Sequence, residues 1–74
     1  ATIDGNDSLI WYNRGVALTQ LEKYDDAISS YEKAIEISPG YADAWYNKGE
    51  LLKHKEQNDE AETCFAKVKE LEGE

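Results

Sequence analysis

Two short stretches decide how this chain folds: Trp11-Tyr12-Asn13-Arg14-Gly15, and Trp45-Tyr46-Asn47-Lys48-Gly49 34 positions later. Worked outward from them, residues 8–40 align with residues 42–74 at a constant offset, with ten identities in 33 pairs. Beyond the two quoted stretches the identical pairs are Leu18 with Leu52, Glu22 with Glu56, Asp25 with Asp59, Ala27 with Ala61, Lys33 with Lys67 and Glu36 with Glu70. Conservative pairs such as Arg14 with Lys48 and Tyr31 with Phe65 fall in the same frame. Self-similarity at such a period marks stacked supersecondary units, each unable to bury its apolar face alone.

Inside each unit the spacing is helical. Trp11, Gly15 and Leu18 recur at i, i+4 and i+7, and Ala27, Tyr31 and Ala34 repeat that interval. Glu22-Lys23-Tyr24 reads as a polar turn between two helices, with Asp25 as the residue that caps the second. Ser38-Pro39-Gly40 closes that second helix, because Pro cannot continue it and Gly accepts a left-handed turn. The pattern predicts four helices, near Asp7–Leu21, Asp25–Ser38, Ala42–Lys55 and Asp59–Leu71. The domain reading is a flexible N-terminal tail over residues 1–7, a first repeat over 8–41 and a second over 42–74. The small residues have a mechanical purpose: Gly15 facing Ala27, and Gly49 facing Ala61, would let helix backbones approach closely, with Trp and Tyr or Phe filling the space beside them.

Composition narrows the function. Of the 74 residues, 16 are Asp or Glu and 8 are Lys or Arg, a net charge of -8 that opposes nucleic-acid binding. No apolar run reaches the roughly 20 residues that span a bilayer, so no membrane partner is expected. The single Cys64 precludes an internal disulfide, and a reduced thiol without a secretory signal fits the cytoplasm. His54 and Cys64 are the only residues of their kinds, too few for a zinc site and not spaced to meet as a nucleophile and its base. Neither a calcium-loop spacing nor a Gly-rich phosphate loop occurs. The expectation is a non-enzymatic chain without metal or cofactor.

These residues resemble the tetratricopeptide repeat, whose unit reads Trp-x2-Leu-Gly-x2-Tyr, then Ala-x3-Phe, then Ala, then Pro. Trp11, Gly15, Leu18, Ala27, Tyr31, Ala34 and Pro39 carry it first, then Trp45, Gly49, Leu52, Ala61, Phe65 and Val68. Arg14 and Lys48 depart from it at the Leu position, Val68 at the second Ala, and Gly73 at the Pro. The resemblance implies an all-α fold of two stacked helix-turn-helix repeats, an α-solenoid winding as a right-handed superhelix. It further implies a concave groove, lined by the first helix of each repeat, that binds an extended peptide or helix of a protein partner. By the family's pattern the groove positions are Leu9, Tyr12, Val16, Thr19 and Gln20, then Asp43, Tyr46, Glu50, Lys53 and His54, with Asn13 and Asn47 alongside. Those asparagines read equally as peptide ligands or as inter-helix packing. One subfamily clamps the C-terminal carboxylate of heat-shock chaperones; Tyr12 and Val16 stand where it wants Lys and Asn, which disfavours that mechanism.

The mismatched pairs add direction. Tyr24, Ile28 and Ile35 become Asn58, Glu62 and Lys69, which reads as a polar outer face closing an array. At the other side, Leu9 and Ile10 stand where the second repeat has Asp43 and Ala44, so a missing neighbour or a second copy would cover them. Residues 41–55 form the one net-positive segment, at +1, so Lys53 and His54 could receive a partner's carboxylate or simply be solvated. The leading functional reading is a protein-binding scaffold or adaptor. The alternatives are a structural capping or self-associating module at the end of a longer repeat protein, or an accessory segment of an enzyme.

Overall fold

The computed structural model describes residues 4–73. Four helices follow one another: α1 (Asp4–Gln20), α2 (Tyr24–Ile37), α3 (Ala42–His54) and α4 (Asn58–Leu71). α1 pairs with α2 and α3 with α4, and the two hairpins meet where α2 packs on α3. The result is a slab, 38 by 33 by 14 Å across its Cα atoms.

The ends of the helices differ from the sequence-based expectation in instructive ways. α1 begins at Asp4, so part of the stretch read as a tail is helical, and residues 1–3 lie outside the described residues. α2 begins at Tyr24, one residue before Asp25, and no side chain caps it. Asp25 and Asp26 instead sit in its first turn, where their charge faces the positive end of the helix dipole. The turn before it explains the shift. Glu22 adopts a left-handed conformation at φ 63°, its N–H donating to the Thr19 carbonyl at 2.9 Å while the Lys23 N–H donates to Leu18 at 2.9 Å. That pair of bonds is a Schellman closure of α1, usually built on Gly. Glu56 repeats it at φ 64°, with Gln57 donating to Leu52 at 2.8 Å. Gly40, read as the left-handed residue of its turn, is not among those with positive φ. Ser38-Pro39-Gly40 is closed by the Tyr41 N–H on the Ser38 carbonyl at 3.0 Å, which needs no such residue.

The core is small and built largely of alanine. Ala27, Tyr31, Ala34, Ala44 and Leu51 form one cluster spanning α2 and α3, and Leu52, Ala61 and Cys64 a second within the α3–α4 hairpin. Ile28 packs against both and joins them. The glycines act on rings rather than on the facing alanines. A Cβ on Gly15 would lie 2.6 Å from the Tyr31 ring, and one on Gly49 would lie 2.7 Å from the Phe65 ring. Ser8, wholly buried on α1, shares a hydrogen bond with Ser38 and so pins the start of the first hairpin to its far turn.

Candidate protein-binding face

The residues expected to line a groove lie on α1 and α3, and the structure brings some together directly. Asn47 on α3 donates its Nδ2 to the Tyr12 hydroxyl on α1 at 2.7 Å, a bridge between repeats. The Tyr12 ring leans on Tyr31, 5.6 Å between centroids, and on Tyr41 at 5.1 Å. Burial raises the pKa of Tyr31 and Tyr41 above the usual phenol value. Beside Tyr12, Val16 is half-buried on the core, and Thr19 donates to the Gly15 carbonyl at 2.8 Å.

Further along α3, Tyr46 rests on Phe65 with ring centroids 5.6 Å apart, yet keeps 48% of its surface exposed. Glu50, one turn on, accepts from its phenol and pushes that pKa up. Glu50, Lys53 and His54 line a shallow depression of about 280 Å³. The His54 ring stacks on Tyr24 of α2 at 5.3 Å and 23°. Asn13, Gln20, Leu9 and Asp43 are exposed, and Asn13 lacks the half-buried position of its counterpart Asn47. Sequence reasoning missed Tyr41 and Tyr24 as members of this surface. Tyr41 has Asp7 at its equivalent position, so the repeat itself offered no signal for it.

A cleft also lies beside each tryptophan. The first, about 430 Å³, is walled by Trp11, Arg14, Leu18, Asp26, Ser30 and Lys33. The second, about 250 Å³, is walled by Trp45, Lys48, Leu52, Glu60 and Cys64, counterparts of the first five, and by Glu32 of α2. In each, a cation stands over the indole, Arg14 at 5.7 Å from Trp11 and Lys48 at 5.7 Å from Trp45. Burial raises the pKa of the Cys64 thiol, which opposes thiolate chemistry. Among the described residues no three His, Cys, Asp or Glu side chains gather as metal ligands. No described helix is long and apolar enough to cross a membrane.

A tetratricopeptide repeat family model matches residues 8–41, and a second tetratricopeptide repeat model matches residues 30–63, across the α2–α3 junction. The chain belongs to the tetratricopeptide repeat family. Members of that family are generally protein–protein interaction modules and typically non-catalytic. Among solved structures, the crystal structure of MamA is similar to it at 34% identity and a TM-score of 0.87, over 88% of this chain. This chain spans 38% of the length of that MamA chain. No curated protein matches.

Proposed function

We propose that this tetratricopeptide chain binds an extended peptide or a helix of a partner protein along the face shared by α1 and α3, without chemistry of its own. The observation that carries this reading is Tyr46, a large aromatic held on Phe65 but half open to solvent. Beside it the Asn47–Tyr12 bridge presents polar atoms, and Glu50, Lys53 and His54 offer both charge signs. Aromatic area flanked by fixed polar groups is the usual anatomy of a binding hot spot. Residues 1–21 and 41–55 carry charges of -1 and +1, so this face is near neutral within an acidic chain.

A structural role at the end of a stack is a second reading, favoured by α4. Its Asn58, Glu62 and Lys69 are exposed where α2 turns Tyr24, Ile28 and Ile35 onto the core.

The test is a titration of isotope-labelled protein with a library of extended peptides, followed residue by residue by NMR. Shifts should concentrate at Tyr12, Asn47, Tyr46, Lys53 and His54. Tyr46→Ala should weaken the best peptide at least about tenfold while circular dichroism stays unchanged. Shifts confined to the Trp11–Lys33 cleft would overturn the reading.

A further inference from the structure

The second repeat carries charges at places where the first is neutral. Tyr46, Glu50 and Lys53 follow one another at i, i+4 and i+7 on α3, and Asn58, Glu62 and Phe65 do the same on α4. The two stripes lie side by side. Tyr46 rests on Phe65, and Lys53, Asn58, Ala61, Glu62 and Phe65 wall a cavity of about 320 Å³. Lys53 also lines the depression beside Glu50 and His54, so one lysine borders both cavities. In the first repeat the counterparts of Tyr46, Glu50, Lys53, Glu62 and Phe65 are Tyr12, Val16, Thr19, Ile28 and Tyr31, none of them charged. Glu50 and Glu62 therefore add two carboxylates to an aromatic pair that is neutral in its first copy. Among the described residues neither carboxylate joins an ion pair, and Glu50 is held by the Tyr46 phenol.

We propose that this patch receives a Lys or Arg side chain from a basic, extended segment of the partner protein. The inference rests on the reading of the α1–α3 face as a peptide site and adds the partner's charge to it. The open side of the Tyr46 ring takes the cation, as aromatic faces do. Glu50 on α3 and Glu62 on α4 supply the carboxylates. A guanidinium meets both demands best, because it stacks on an aromatic ring and forks onto a carboxylate. The wider charge distribution argues for the same occupant. Residues 56–74 hold seven acids against two bases, and the chain as a whole carries -8, so a basic segment is steered toward it. A carboxylate seated on Lys53 is the competing occupant. It fits worse, because Lys53 shares its two cavities with Glu50 and Glu62, one cation against two anions.

The test titrates the intact chain with two short capped peptides of equal length, one alternating Leu with Arg and the other Leu with Glu, followed by NMR. Saturable binding of the Arg peptide is expected, with shifts at Tyr46, Glu50, Glu62 and Phe65. Glu50→Gln with Glu62→Gln should weaken it at least about fivefold, and Lys53→Gln should strengthen it. Asp26→Asn with Glu72→Gln removes as much charge elsewhere and should leave the affinity nearly unchanged. Equal losses from the two double variants would reduce the binding to diffuse attraction and overturn the proposal. Tighter binding of the Glu peptide at this face, lost with Lys53→Gln, would overturn it too, while leaving the peptide-site reading in place. Binding of neither peptide there also overturns the proposal, and the reading beneath it falls only if the wider peptide library leaves the α1–α3 face unmoved.

Discussion

Gly15 shows how much one missing methyl group sets. A helix-interior Gly costs about 1 kcal/mol against Ala, so propensity alone favours Gly15→Ala. The Tyr31 ring reverses that sign. It is 2% exposed and lies 2.6 Å from where the Cβ would go, so it has nowhere to swing. We predict that Gly15→Ala destabilises the chain by about 1–3 kcal/mol in urea unfolding. A neutral or stabilising result would mean that the first hairpin yields more easily than its packing implies. The need for a small residue here was legible in the sequence, since Gly15 recurs as Gly49. Its partner was not, because the spacing showed Ala27 and Tyr31 on one α2 face without saying which of them meets the glycine.

At the scale of the helix and its turn, strain is stored in glutamates. Left-handed backbone costs a non-Gly residue about 1–2 kcal/mol, and Schellman bonds close the turns at Glu22 and Glu56. Glu22→Gly and Glu56→Gly are each predicted to stabilise by about 0.5–1 kcal/mol, read as a higher thermal midpoint. A lowered midpoint would show that the glutamate side chains contribute something their exposure hides. These turns explain why element existence was readable and element edges were not. Four helices follow from apolar spacing, but an Asp that could cap a helix reads the same in sequence as one in its first turn, so the pattern puts the start of α2 at Asp25 rather than Tyr24. Much of the proposed face was harder still. Asn47 meets Tyr12 across 35 positions, and His54 meets Tyr24 across 30, distances over which a helical period predicts a face but not a contact.

For the molecule as a whole, charge and thinness act together. A chain with 16 acids and 8 bases repels itself, and a slab 14 Å thick leaves those charges near solvent where ions screen them. The inter-helix pairs Lys48–Glu32 and Lys55–Asp25 oppose this by about 0.2–1 kcal/mol each, being partly exposed. Raising salt from about 0.01 M to about 0.15 M shortens the screening length from about 30 Å to about 8 Å. The thermal midpoint should therefore rise with added NaCl; a fall would make the ion pairs the larger effect. The same view of the whole returns to the two turns. Nothing in the geometry asks for Glu at either, and Gly would serve both with less strain. The same strained turn stands at the same point of each hairpin, so each half of the molecule serves as the control for the other when one turn is relieved.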